Sequence, residues 1–175
     1  MAVTDPTTSC RIGLGYDIHR TRLPAEGGSE SDHVWLGGVK IPAPFSLVGH
    51  SDADVLLHAI TDAIFGALGD YDIGHHFPPS DEKNRGRKSA EFLEFAIARM
   101  KSASFQIGNI DCNIICEMPR ITPVREQIRA SVASLAGIAE SQVSIKGRSN
   151  EKVDAVGESR AVVCQAVVLL QHMEA

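Results

Sequence analysis

Residues 51–69 read SDADVLLHAITDAIFGALG. Val55, Leu56, Ala59, Ile60, Ala63, Ile64 and Leu68 recur at helical spacing, which predicts a helix over 51–68. Ser51 or Asp52 suits its cap, Asp52 and Asp54 favour its N-terminal end, and Gly69 stops it. Upstream lie two strand candidates. Residues 11–17 hold two glycines, and residues 34–41 (VWLGGVKI) end at Pro42 and Pro44, because proline cannot donate to a ladder. Downstream, residues 70–88 read as a loop rich in proline, glycine and charge. A loop of that length without structure of its own is often functional. A second helix is expected over 89–102, with Ser89 as cap and Phe92, Leu93, Ala96, Ile97 and Met100 on one face. Residues 106–116 alternate, with Ile110, Cys112, Ile114 and Cys116 opposite Asn109, Asp111 and Asn113: a half-buried strand. Thr122-Pro123 opens a third helix, carrying Val124, Ile128, Val132 and Leu135 and ending near Gly137. A short strand at 143–146 and a long apolar one at 161–170, covered on both faces, complete the set. The order gives α/β (α+β), with helices on one face of a mixed sheet.

At 175 residues the chain makes one domain, with 1–10 as an N-terminal tail and 11–175 as the folded unit. A composition of 43% hydrophobic and 22% charged residues excludes a disordered chain, and 5% aromatics point to an aliphatic core. The formal charge of −5 comes without a basic stripe, so nucleic acid is not an expected partner. No apolar run nears the ~20 residues of a membrane span, and Met1 to Ser9 lack the apolar region of a secretory signal. Cys10, Cys112, Cys116 and Cys164 form no CxxC pair, which fits free thiols in a reducing cytoplasm.

Several constellations could carry chemistry. Asp17 and His19 lie two apart at a strand end, so their side chains point the same way. Alone, that is a surface polar pair as readily as a metal site. His58 sits on the helix among apolar neighbours, as a hydrogen-bonded boundary residue or as a third ligand. Asp17, His19 and His58 together would make a three-ligand site with one open position, the catalytic kind for zinc, and Asp54 or Asp62 is expected to orient His58 through its second nitrogen. The paired His75 and His76 fit a ligand-wrapping loop better than a chelate. Lys146 to Lys152 offers cations, a hydroxyl and Glu151. That is either a charged turn or a place for phosphate with a hard metal. Together these indicate a metal-assisted enzyme acting on a phosphate ester.

Four blocks follow in order: RIGLGYDIH at 11–19, LGGVKIP at 36–42, GHSDADVLLHAITDA at 49–63 and GDYDIGHHFP at 69–78. With them, residues 11–170 resemble the 2-C-methyl-D-erythritol 2,4-cyclodiphosphate synthases of the non-mevalonate isoprenoid pathway. The resemblance implies a homotrimer, each subunit a four-stranded sheet with helices outside, enclosing a central cavity with active sites between neighbours. It implies conversion of 4-diphosphocytidyl-2-C-methyl-D-erythritol 2-phosphate to the 2,4-cyclodiphosphate with release of CMP. By motif, Asp17, His19 and His58 correspond to zinc ligands, and Glu151 to a ligand of Mg²⁺ or Mn²⁺. His50 and Ser149 correspond to the positions that stabilise the transition state. Substrate binding falls to Ser51, to Asp72, Ile73 and Gly74, to Phe77, Pro78 and Asp81, and to Arg148 and Asn150. The segment Cys116, Glu117, Met118, Pro119, Arg120, Ile121 and Thr122 would cup cytosine from the neighbouring subunit. A separate cytidylyltransferase is an expected transient partner.

The chain departs from the family pattern in several places. Ser149 stands where Thr is usual, Asp154 where Gly is, Ala155 where Phe is, and Pro79 where Asp is frequent. An Arg-x-Glu pair has become Glu158-x-Arg160. The inversion keeps an intersubunit ion pair feasible but predicts weaker binding of an isoprenoid diphosphate in the central cavity. These changes leave open a member acting on another nucleotide diphosphate, or a non-catalytic trimeric scaffold. The loop at 21–33 is longer and more acidic than expected and reads as a solvated insertion.

Overall fold

The computed structural model describes residues 9–24, 33–78 and 80–173. Most of the N-terminal tail, the centre of the 21–33 loop and Pro79 lie outside the described residues. The strands are β1 (Cys10–Arg22), β2 (His33–Leu36), β3 (Val39–Pro42), β4 (Ser46–Leu47), β5 (Phe105–Ile115), β6 (Val143–Arg148) and β7 (Ala161–His172). The helices are α1 (Val55–Leu68), α2 (Ile73–His76), α3 (Ser89–Ser102), α4 (Arg125–Ala136) and α5 (Asp154–Gly157).

The sheet runs β4-β1-β7-β5-β6; β5 and β6 pair in parallel and the other neighbours antiparallel. It is therefore an α+β fold on a mixed sheet. The expected four strands become five, because Ser46 and Leu47 pair with Arg22 and Thr21 and add a short edge. The expected strand at 34–41 is a hairpin instead. Gly37 and Gly38 both have positive φ (64° and 77°), the combination that a two-residue hairpin turn demands, and β2 and β3 pair apart from the main sheet.

Helix α1 begins at Val55 rather than 51. The Asp54 carboxylate caps it by accepting the Leu57 N–H, and also accepts the Gly37 and Gly38 N–H groups. One buried carboxylate thus ends the loop, starts the helix and pins the hairpin. Gly69, at φ 70°, closes α1 in the left-handed conformation. The helix is apolar nearly all round because it is buried nearly all round. Its closest approach is to β1. A Cβ on Gly13 would lie 1.7 Å from the Ala63 carbonyl oxygen, and one on Gly15 would lie 1.8 Å from that of Ala59. The two glycines let the helix backbone rest on the strand backbone.

The stretch 70–88 is not structureless. Asp72 caps α2 through the His75 N–H, and Asp81 caps a 3-10 turn at Glu82–Asn84 through the Lys83 N–H. The third helix is also divided, a 3-10 turn at Thr122–Val124 leading into α4.

The alternation of β5 is as expected, with Ile110, Cys112 and Ile114 fully buried. Strand β7 differs: Gln165, Val167 and Gln171 are exposed, so only its first four residues are covered on both faces. The helices pack on one side of the sheet. On the other, Ile12, Leu14, Tyr16 and Ile18 of β1 stay 47–70% exposed, and no described helix covers them. Cys112, Cys116 and Cys164 are buried free thiols, while Cys10 is exposed. Burial pushes the Cys112 and Cys116 thiols up to about 12, so they are inert.

Candidate metal centre and active site

Strands β1 and β5 both run opposite to β7, and β6 runs with β5. The C-terminal ends of β1, β5 and β6 therefore share one end of the sheet. Every site segment expected on a strand end falls there.

Asp17 and His19 stand at this end of β1, and His58 comes from the first turn of α1. The Gly13 and Gly15 contacts hold that helix against the strand. Asp17 Oδ2 lies 3.0 Å from His19 Nε2 and 2.9 Å from His58 Nδ1, and the two nitrogens are 3.2 Å apart. In a tetrahedral zinc site with bonds of 2.0–2.1 Å, neighbouring donors sit about 3.3 Å apart. The triangle is slightly tighter than that and needs only a small expansion. Among the described residues it is the one group of three or more such ligands close enough to share an ion. The site is half-buried, with His58 the most enclosed.

The proton positions agree with a ligand role. His19 Nδ1 lies 2.8 Å from the Val48 carbonyl oxygen, which can only accept. The proton is therefore on Nδ1, and the Nε2 lone pair faces the triangle. Burial alone would raise the Asp17 carboxyl, but in the metal-free centre the protonated His19 and His58 rings, through hydrogen bonds and charge, hold it well below the usual carboxylate range. Burial alone would lower His19. The hydrogen bond and charge of Asp17, with the Val48 carbonyl, prevail and raise it.

Neither Asp54 nor Asp62 orients His58. Asp54 is occupied by the cap and hairpin, and Asp62 accepts the Ile73 N–H at 2.8 Å. The second nitrogen of His58 instead faces two hydroxyls, Ser89 Oγ at 2.8 Å and Ser51 Oγ at 3.2 Å. Ser89 is not a side-chain cap either. It is the first residue of α3, and Asp52 accepts both its N–H and its hydroxyl. Sequence reasoning missed Val48, Asp52 and Ser89 in this setting. Asp52 and Ser89 gave a signal only as polar residues opening helices, and Val48 gave none.

The other expected site residues fall into three groups. His50 is exposed beside the centre, its carbonyl accepting the Gly86 N–H. Ser51 turns toward His58 and Ser89. In the second group, Asp72 caps α2 and the Ile73 amide is fixed by Asp62, while Gly74 is exposed. The Phe77 ring lies 4.6 Å from that of Phe92, tilted by 41°, and the Pro78 carbonyl accepts from Asn84.

The third group lies beyond β5 and β6. Ser149 Oγ donates to Glu151 at 3.0 Å, and Asn150 uses its side-chain amide on the Val153 carbonyl and on Asp154. Glu117 accepts the Asn150 and Lys152 N–H groups, tying 116–122 to 149–152. The Arg148 carbonyl accepts the Cys116 N–H, and Cys116 Sγ contacts the Pro119 carbonyl. Met118, Arg120 and Thr122 are exposed and Ile121 is buried. Strand β6 is three strands from β1, about 14 Å at ~4.8 Å per strand, and β5 is two, so among the described contacts none joins Ser149, Asn150 or Glu151 to the triangle within one chain.

Two departures become clear in the structure. Asp154 has φ 61°, a conformation that suits Gly and that Asp tolerates better than most residues. Its carboxylate compensates by accepting the Val156 N–H at 2.7 Å and the Asn150 amide at 2.9 Å. Glu158 and Arg160 both precede β7 and pair with each other at 2.6 Å within the chain.

Known proteins match this chain over nearly its whole length. It is 43% identical over 160 residues to the 2-C-methyl-D-erythritol 2,4-cyclodiphosphate synthase of Roseobacter denitrificans, covering 91% of this chain and 96% of that one. It is 45% identical over 163 residues to the bifunctional enzyme IspD/IspF of Sphingopyxis alaskensis, covering 93% of this chain and 40% of that one. The solved structure of IspF from Plasmodium falciparum, a CDP complex, superposes with TM-score 0.81 at 38% identity, covering 95% of this chain and 98% of that one. The YgbB family profile matches residues 10–171, and with these relatives it establishes that the chain belongs to the YgbB family, that of the 2-C-methyl-D-erythritol 2,4-cyclodiphosphate synthases.

Proposed function

We infer that the chain converts 4-diphosphocytidyl-2-C-methyl-D-erythritol 2-phosphate to 2-C-methyl-D-erythritol 2,4-cyclodiphosphate and CMP. It is a phosphorus–oxygen lyase of isoprenoid biosynthesis with a metal-binding centre. The observation that carries this reading is the Asp17–His19–His58 triangle, set in a fold and sequence of that family. An oxygen of the 2-phosphate attacks the β-phosphorus, the bond from that phosphorus to the α-phosphate oxygen breaks, and CMP departs. The step is intramolecular and uses no water.

The metals belong to the same proposal. Asp17, His19 and His58 hold Zn²⁺, and Glu151 holds Mg²⁺ or Mn²⁺. Bound there, such ions supply Lewis-acid polarisation of phosphoryl oxygens and offset charge on the leaving CMP. The protein's own groups do the rest. His50, exposed beside the centre, and the Ser149 hydroxyl hydrogen-bond the charge that develops in flight. Ser51 and the 72–81 loop hold the methylerythritol portion, with the Ile73 amide kept in place by Asp62. Backbone groups of 116–122, with Arg148 and Asn150, read the cytidine end.

This division of labour requires neighbouring subunits, and we place the site between two copies of a homotrimer. The ~14 Å between β1 and β6 within one chain supports that arrangement. So does the exposed apolar row Ile12, Leu14, Tyr16 and Ile18, a patch that a monomer would not leave in water. Sheet faces turned inward around a threefold axis would cover it and β7, and enclose the central cavity. Fusion to a second enzyme in relatives such as that of Sphingopyxis alaskensis supports a transient cytidylyltransferase partner for this chain. A cytoplasmic location fits the free thiols.

The test is ³¹P NMR of the purified protein with Zn²⁺, Mg²⁺ and the diphosphocytidyl substrate. CMP with two coupled cyclic-diphosphate resonances is expected. Unchanged substrate in the presence of zinc-loaded protein would overturn the assignment.

A further inference from the structure

The imidazole of His58 has a choice to make. Its Nδ1 lies 2.9 Å from the Asp17 carboxylate, which by itself would draw the ring proton to Nδ1 and spoil that nitrogen as a ligand. The opposite nitrogen settles the matter. Ser89 Oγ, in a fully buried residue, lies 2.8 Å from His58 Nε2 and donates its single proton to Asp52 Oδ1. A hydroxyl that has spent its proton on a carboxylate can only accept from the ring. Asp52 is held for this task, since its two oxygens also accept the Ser89 N–H at 3.2 and 3.1 Å. Ser51 Oγ stands 3.2 Å from the same nitrogen and itself accepts the Ala53 N–H.

We propose that Ser89, anchored by Asp52, is a positioning residue that keeps the His58 proton on Nε2 and so presents the Nδ1 lone pair to the metal. This rests on the metal reading of the Asp17–His19–His58 centre. The relay joins three separate segments: the loop before α1, the start of α3, and α1 itself. It is the side-chain counterpart of the Val48 carbonyl, which does the same for His19. Ligand-supporting hydrogen bonds of this kind are typically worth 10–100-fold in metal affinity.

The test compares wild type with Ser89→Ala and Asp52→Asn, the latter keeping an oxygen for the Ser89 N–H. Zinc affinity is read by competition with a chromophoric chelator. The His58 tautomer is read in the metal-free protein at pH 8 by ¹⁵N–¹H correlation of the imidazole ring. The expected result is a Nε2–H tautomer in wild type, a shift toward Nδ1–H in Ser89→Ala, and a 10–100-fold loss of zinc affinity, smaller for Asp52→Asn. Zinc affinity within twofold of wild type in Ser89→Ala would overturn the proposal. So would lost affinity with the Nε2–H tautomer unchanged, which would assign the loss to packing. If wild type takes up no zinc, the metal reading of the centre fails, while the tautomer comparison still decides the role of Ser89.

Discussion

Gly15→Ala is the most informative single change, because it links the fold directly to the metal centre. A Cβ at Gly15 would lie 1.8 Å from the Ala59 carbonyl oxygen and 2.8 Å from both the Ala59 carbonyl carbon and the Ala63 nitrogen. All three are helix backbone and cannot swing aside. Ordinary contact begins near 3.4 Å, so α1 must retreat from β1 by about 1.6 Å around Ala59. Overpacking of a core typically costs 1–3 kcal/mol, and a backbone collision belongs at or above the top of that range. At 2–4 °C per kcal/mol for a chain of this size, Tm should fall by about 6–12 °C. His58 is the residue next to Ala59, so the same retreat pulls its Nδ1 away from Asp17 and His19, where the separations are now 2.9 and 3.2 Å. Metal sites tolerate only about 0.2 Å of error in bond length, so zinc binding should fail as well. Thermal unfolding with and without zinc, and zinc stoichiometry by chelator competition, report the two effects. Gly74→Ala is the control, because a Cβ there meets nothing closer than 3.6 Å. A Gly15→Ala protein with wild-type Tm and one tightly bound zinc per chain would refute the reasoning.

Three further outcomes are expected. Gly66→Ala should stabilise by about 0.5–1 kcal/mol, since an exposed helix-interior glycine is replaced where the new methyl meets nothing nearer than 3.7 Å; a lower Tm would contradict the open space seen there. Asp154 sits at φ 61°, so Asp154→Gly should be tolerated, whereas Asp154→Ala should melt below both Asp154→Gly and wild type, having neither backbone freedom nor a carboxylate for the Val156 and Gly157 N–H groups. Equal melting of Asp154→Ala and wild type would remove that compensation. The metal-free centre also sets a pH window. Asp17 is depressed below 3.8, so its contribution is present above that value and lost as pH falls; His19 is raised above 6.5, so its contribution is present below that value and lost as pH rises through its folded pKa. The gap in urea midpoint between wild type and Asp17→Asn, both metal-free, should therefore be widest between pH 3.8 and 6.5. A gap that keeps growing toward pH 8 would contradict the Asp17–His19 pairing.

How far the sequence revealed this molecule depends on the range of the interaction. The apolar spacing of α1 and α3 and the alternation of β5 are local, and were legible. The span 34–41 shows why local alternation is not enough. Its apolar residues fit one strand, but Gly37-Gly38 can turn the chain with positive φ at both positions, and the carboxylate of Asp54 receives both amides. The same side chain explains the late start of α1: Ser51 and Asp52 looked equally suited to the cap, but both are committed to His58 and Ser89. That commitment crosses from residue 52 to 89, and no spacing rule reaches it. The metal triangle was legible only as a coincidence of ligand types, with Asp17 and His19 on one face of a strand. What brings His58 to them is the absence of a Cβ at Gly13 and Gly15, which reads in sequence as a weak strand rather than as a helix seat. The expectation that β7 is covered on both faces failed for a related reason. Apolar content measures what wants to be buried, not which element buries it, and the row from Ile12 to Ile18 beside Val167 stays exposed because no described helix lies on that face of the sheet.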